Sequence, residues 1–212
     1  MEAAAGWPRF SGWLAAMENV PGESRSDDVS AREDREDIAA SLNGDEQAYA
    51  RLVRRYQAEI SLQLWRYTRQ PGQVEELTQE VFVEAYLSLR GYRGDAPFLH
   101  WLRRITTRVG YRFWRKQTIR RDRETALEPW HESVMPVREP GTAAEAAALV
   151  HALLSELPPR DRMVLTLLHL EELDTQAIAE RLGWSRALVK VQAFRARQKL
   201  RRLLEARGFT ES

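Results

Sequence analysis

The chain has 212 residues, with 32 Lys and Arg against 31 Asp and Glu, and no cysteine. That length suits one mid-sized domain or two small ones, and the missing cysteine excludes disulfide scaffolds, thiolate metal sites and cysteine nucleophiles. Hydrophobic residues make up 43% and charged residues 30%, a composition that folds in water, while the longest apolar runs fall far short of the ~20 residues that span a bilayer. Four histidines, His100, His131, His151 and His169, lie scattered with no pair at metal-ligand spacing. No basic start leads into an apolar run at the N-terminus. The expectation is a cytoplasmic protein without signal peptide, metal or cofactor.

Charge becomes informative once it is followed along the chain. Residues 1–40 sum to −5, residues 90–123 to +9, residues 124–180 to −8 and residues 181–207 to +8. Two basic blocks separated by acidic ones suit two surfaces for one polyanion. A GC-rich genome explains why 29 of the 32 cations are arginine, but not why they cluster.

Residues 1–40 mix Gly, Pro, Ser and acidic residues without a sustained period and read as a disordered extension, with a short apolar patch at Trp7, Phe10, Trp13 and Leu14. From Asp45 the pattern turns helical through Ala48, Tyr49, Leu52, Val53, Tyr56, Ile60 and Leu64, with Pro71 and Gly72 as its stop. Leu77, Val81, Phe82, Ala85, Tyr86 and Leu89 mark a second helix. After a loop holding Gly91, Gly94 and Pro97, a third is predicted from Phe98 to about Lys116. Residues 119–142 have linker composition. Thr142 and Glu145 then form a capping box that opens a helix broken at Pro158 and Pro159, and another runs from Arg160 to about Leu170. Asp174 and Ser185 are N-caps for the last two helices. The predicted fold is all-α: two small helical domains, 41–118 and 143–207, joined by a flexible linker and followed by a tail at 208–212.

The last two predicted helices carry the spacing of a helix-turn-helix. Ala179 permits close helix approach, Gly183 accepts a left-handed turn, and Val189 packs beneath, together with Leu188. The second helix of such a unit enters the major groove. Ser185, Arg186, Ala187, Lys190, Val191, Phe194, Arg195 and Arg197 are the candidate duplex contacts, and Lys199, Arg201 and Arg202 extend a stretch suited to phosphates.

The other basic block interleaves cations with Tyr92, Phe98, Trp101, Tyr111, Phe113 and Trp114, a mixture suited to single strands, where bases stack on rings and the backbone follows cations. Phe98, Leu102, Ile105 and Val109 form an apolar stripe, so Phe98 reads equally as core. Trp101, Arg104, Arg108 and Arg112 fall on the neighbouring faces. Duplex reading in one half and single-strand chemistry in the other imply a protein that opens DNA at a specific place.

Val74–Phe82 resembles the polymerase-binding helix of bacterial sigma factors, and Phe98–Ile105 their promoter-melting helix. Leu157–Arg162, Ala177–Gly183 and Val189–Arg197 together resemble their C-terminal DNA-reading domain. Only those two domains are present, as in the extracytoplasmic-function (ECF) class, and the resemblance covers about two thirds of the chain. It implies a non-enzymatic subunit with core RNA polymerase and promoter DNA as partners, and leaves room for an anti-sigma factor. Glu75, Glu76, Gln79 and Glu80 would dock on a coiled coil of the polymerase's largest subunit. Tyr92, Arg93, Trp101, Arg104, Arg108, Tyr111, Arg112 and Arg115 would hold the melted −10 strand, and the C-terminal helix would read the −35 element as duplex.

Two departures bear on this. The family commonly has Asn and Asp where this chain has Arg108 and Arg112, and an acidic residue where it has Gln73. Two added cations strengthen attraction to the backbone but remove hydrogen-bonding patterns used for base choice. The alternative is a helix-turn-helix regulator that binds duplex DNA without joining polymerase; it would need neither the acidic helix nor the aromatic–basic block. An enzyme acting on nucleic acid finds no support, because no carboxylate cluster, Ser–His arrangement or glycine-rich phosphate loop appears.

Overall fold

The computed structural model describes residues 27–127 and 142–209, and among them there are eight α-helices, one short 3₁₀ turn and no strand. In chain order these are α1 (Asp27–Leu42), α2 (Glu46–Leu64), α3 (Pro71–Ser88), the 3₁₀ turn (Leu89–Gly91), α4 (Phe98–Leu127), α5 (Ala143–Ser155), α6 (Pro159–His169), α7 (Thr175–Leu182) and α8 (Arg186–Ala206). The apolar patch at Trp7–Leu14 and the expected linker beyond Leu127 lie outside the described residues.

Helix α1 corrects the expectation of an unstructured stretch up to residue 40. Its buried face holds Asp34, Asp37, Ile38 and Ser41, so the face that packs carries carboxylates where a stripe of leucines would be sought. Those carboxylates meet α2. Arg55 pairs with Asp34 and with Asp37 at 3.1 Å, Arg51 reaches Asp37 at 2.7 Å, and the Tyr56 hydroxyl donates to Asp34 at 2.5 Å. Charged groups so deeply buried persist only when paired and hydrogen-bonded, as these are.

Asp45 caps α2 by accepting from the amides of Gln47 and Ala48 at 2.9 and 3.2 Å. Pro71 does not end this helix. It sits in the first turn of α3, where a missing N–H costs nothing, and α2 has already stopped at Leu64. Helix α4 extends to Leu127 rather than Lys116, because nothing in residues 117–127 breaks a helix and the polar composition only marks the segment as solvated.

Leu52, Ile60, Val81, Ala85, Leu102, Ile105 and Val109 are wholly excluded from solvent at the centre of α2, α3 and α4. Phe98 is 1% exposed and Trp114 likewise, so both belong to the core and not to a strand-stacking surface. Gly110 lets α4 close on the Tyr67 ring, which occupies the place a Cβ would take.

This core does not end at the first half. Met163, Val164, Leu167, Ile178 and Val189 continue it, so the two helical halves share packing. Tyr67 stacks on Trp114 with ring centres 4.6 Å apart, the Trp114 indole donates to the Tyr67 carbonyl at 2.8 Å, and Gln63 donates to Glu171 at 3.1 Å. A smaller cluster of Leu154, Leu157, Leu165 and Ala196 completes the C-terminal half.

Candidate nucleic-acid interface

Thr142 and Glu145 cap α5 reciprocally, and Asp174 caps α7 by accepting from Gln176 and Ala177 at 2.9 and 2.7 Å. Gly183 ends α7 in the left-handed region at φ 68°, and Ser185 accepts from the Leu188 amide at 3.2 Å to start α8. Ala179 and Val189 are buried between the two helices. That is the geometry of a helix-turn-helix: a small residue where the helices cross, a glycine at the turn and an apolar anchor beneath.

Along α8, Arg186, Ala187, Lys190, Val191, Phe194 and Arg195 are exposed, with Phe194 at 61%. Arg197 is half-buried, Ser185 is exposed beside its cap, and Arg186 Nε donates to the Thr175 hydroxyl at 3.0 Å. Leu188 lies on the surface instead of packing with Val189, being 45% exposed. Nor is Lys199 an available phosphate ligand, because its ammonium is bonded to buried Asp161 at 2.6 Å, where Gln192 also donates at 2.5 Å. This network ties α8 to α6.

Helix α4 places Trp101, Arg104, Arg108, Tyr111, Arg112 and Arg115 at three- and four-residue steps along one side. Trp101 stacks on Phe98 at 5.5 Å, and Tyr92 meets both rings at 5.4–5.5 Å while its hydroxyl donates to the Ala96 carbonyl at 2.6 Å. The loop is thereby clipped to the start of α4, with Arg93 exposed on it. Arg104 and Arg115 are exposed, and Tyr111 is half-buried against the core.

Arg108 and Arg112 stand differently. Arg108 pairs with Glu84 at 3.2 Å, and Arg112 bridges Glu80 at 2.9 Å and Glu84. The bond to Glu84, opposed by burial and helped by Glu80, holds the Arg112 guanidinium above its ordinary pKa. Arg108 and Arg112 are therefore matched by carboxylates one turn apart on α3.

Of the candidates on α3, Glu75, Glu76 and Gln79 are exposed, whereas Glu80 is committed to Arg112. The same helix exposes Val83 (59%), Tyr86 (50%) and Leu87 (78%), with Tyr86 edge-on to Tyr49 at 4.9 Å. Val83 and Leu87 were not singled out from the sequence. Their signal was present: both fall out of phase with the Leu77–Val81–Ala85 stripe, so an apolar side chain there has no core to enter. Among the described residues no cluster suited to a metal occurs, and no helix is long and apolar enough to cross a membrane.

The described residues are all-helical, with a helix-turn-helix at one end and a cation–aromatic helix beside an acidic one, the features of a DNA-binding protein. Residues 52–119 match the family described as Sigma-70 region 2, and residues 147–200 match Sigma-70, region 4. The ECF RNA polymerase sigma-E factor of Escherichia coli is 30% identical over 164 residues, covering 73% of this chain and 85% of that protein. The RNA polymerase sigma-H factor of Pseudomonas aeruginosa is 25% identical over 190 residues, covering 84% and 96%. Among solved structures, CnrH in complex with the cytosolic domain of CnrY is similar at 25% identity and a TM-score of 0.54, over 82% of this chain and 98% of that one. The chain belongs to the ECF sigma factors, DNA-binding subunits that act with RNA polymerase in transcription initiation.

Proposed function

We propose that three surfaces divide the work of initiation. Glu75, Glu76, Gln79 and the exposed Val83 and Leu87 on α3 dock core polymerase. The Tyr92–Arg93 loop and the Trp101–Arg115 side of α4 hold the melted −10 strand. Ser185–Arg197 on α8 reads the −35 element as duplex. In this reading residues 41–118 are the docking and melting domain and residues 143–207 the −35 reader. The protein carries out no chemistry of its own and works in the cytoplasm, and an anti-sigma factor is a further partner, in keeping with the likeness to CnrH. The observation that carries the reading is the adjacency on α3 and α4 of an exposed acidic–apolar face and a row of aromatic and basic side chains, with a separate helix-turn-helix for duplex.

Trp101 tests the division of labour. An indole beside cations stabilises unpaired bases by about 1–3 kcal/mol each and contributes little to closed duplex. Trp101→Ala in the full chain should leave polymerase binding and closed-promoter recognition nearly intact and lower open-complex formation about tenfold, read by permanganate reactivity of unpaired thymines. A pre-melted bubble template should restore transcription, with thermal melts reporting any loss of packing on Phe98. Wild-type opening by the folded variant would remove Trp101 from the melting surface.

A further inference from the structure

A cavity of about 420 Å³ lies where α4 meets the α5–α6 corner and the start of α3. Gln70, Gln73, Gln117, Arg120, Arg121 and Arg162 are among its walls, and no carboxylate of the described residues lines it. Arg162 is the anomaly there. It is 5% exposed, its guanidinium lies over the Trp114 ring at 4.1 Å, and Nη2 points to the Tyr67 carbonyl and His151 Nε2, each at 3.4 Å. Its Nε has no hydrogen-bond partner, and none of the ion pairs among the described residues reaches it.

The nearby charges repel it. Burial, and then Arg121, pull its pKa down to about 9, while burial, Arg162 and Arg69 pull His151 down to about 4. Arg121 is exposed at the rim and donates to the Ser155 carbonyl at 3.5 Å. Pro159, in the first turn of α6, also lines the space, so the positive end of that helix opens on it. Native proteins rarely leave a buried cation without a counter-charge, and a ring face with one carbonyl supplies only part of one.

We propose that this cavity binds a small phosphorylated anion no larger than a nucleotide, with Arg121 and Arg162 on the phosphate and Gln70, Gln73 and Gln117 on its polar remainder. The volume exceeds that of a single phosphate and falls within the range of small-molecule sites. Planar guanidinium forks match phosphate oxygens in pairs, and amides complete the polar contacts of a base or sugar. Walls from α4 and from α5–α6 mean that the ligand touches both halves of the chain. None of these residues belongs to the proposed polymerase or DNA surfaces, so the site and the initiation reading stand or fall separately.

The test uses the free, full-length protein, with titration calorimetry and thermal melts in pyrophosphate and in ADP against chloride at matched ionic strength. Saturable binding with a dissociation constant below about 1 mM is expected, with a melting rise of roughly 5 °C at a hundredfold excess. Gln117→Glu, at an exposed position, places a carboxylate in the cavity; it should raise the melting temperature without ligand and weaken pyrophosphate binding at least tenfold. Arg121→Gln should weaken binding about tenfold with the fold intact. Responses to pyrophosphate and ADP no larger than the chloride control, or undiminished binding by both folded variants, would overturn the site.

Discussion

The two basic surfaces of this molecule hold their cations in different ways. On α8, Lys190 and Arg195 stand exposed, and the hydrogen bond from Arg186 goes to the neutral hydroxyl of Thr175. On α4, Arg103 pairs with Glu59 of α2, and Arg108 and Arg112 face Glu80 and Glu84 of α3. A phosphate approaching α8 meets available charge. One approaching the middle of α4 must first displace a carboxylate. Net charge along the sequence therefore overstates what α4 offers to a polyanion, and in the proposed reading Arg104 and Arg115, both exposed, would carry more of the contact with DNA than the tethered pair between them.

The sharpest way to break the comparison is at α3, where acid is exposed at one end and committed at the other. Glu76→Lys with Gln79→Lys should cut core-polymerase association at least a hundredfold, since like charges opposed across an interface cost several kcal/mol, while stability changes by no more than about 0.5 kcal/mol per exposed site. Co-elution with polymerase and a urea melt together read both effects.

Next in size is Arg186. Its removal as Arg186→Ala should cost about 1–3 kcal/mol on a cognate −35 duplex if it contacts a base edge, and much less on scrambled duplex. Equal losses on both would give it a phosphate-positioning role, with the salt slope lower by about one. Quantitative gel-shift titrations across a salt series separate the two.

A smaller effect is expected at Arg112. Because Glu80 and Glu84 already neutralise it, Arg112→Ala should change the salt slope of single-strand binding by holoenzyme less than Arg104→Ala does, for which the full contribution is about 0.7. Its stability cost should stay within about 1 kcal/mol, as for other solvent-accessible pairs. Glu84→Gln sharpens the point in the opposite direction: freeing Arg108, and leaving Arg112 with Glu80 alone, should raise both the affinity and the slope.

The smallest effect is a pH dependence at His151. Burial first, and then Arg162 and Arg69, favour its neutral form and bring its pKa to about 4, against an ordinary value of 6.5. Between those values the unfolded chain takes up a proton that the folded chain refuses, so stability falls as pH falls through that window and is unaffected above it. With the ring only partly buried, the effect should stay below about 1 kcal/mol. His151→Gln should reduce the difference between urea midpoints at pH 7 and pH 5.

The helix-turn-helix was legible because its signals are local. Asp174 and Ser185 cap, Gly183 turns, and Ala179 and Val189 pack, all within the single stretch from Asp174 to Val189. Helix α1 was not legible, since its packing face is built from Asp34 and Asp37, whose role appears only once Arg51, Arg55 and Tyr56 are brought beside them. The pairing of Arg108 and Arg112 with α3 was hidden for the same reason: it depends on the register of two helices whose partners lie 24–32 residues apart. Trp114 misled because an aromatic among arginines has the composition of a nucleic-acid surface, whereas its position turns it towards Tyr67 and the second half of the core.

The central claim is that this chain joins polymerase and opens DNA at promoters, and the most direct measurement is transcription by purified core polymerase with and without it on a library of promoter fragments, with 5′ ends mapped. The account predicts discrete starts that appear only with the protein, lie downstream of one shared pair of sequence elements and vanish with the Glu76→Lys, Gln79→Lys variant. Sequence-specific binding to duplex by the wild-type protein, with neither co-elution with core polymerase nor any protein-dependent start, would contradict it.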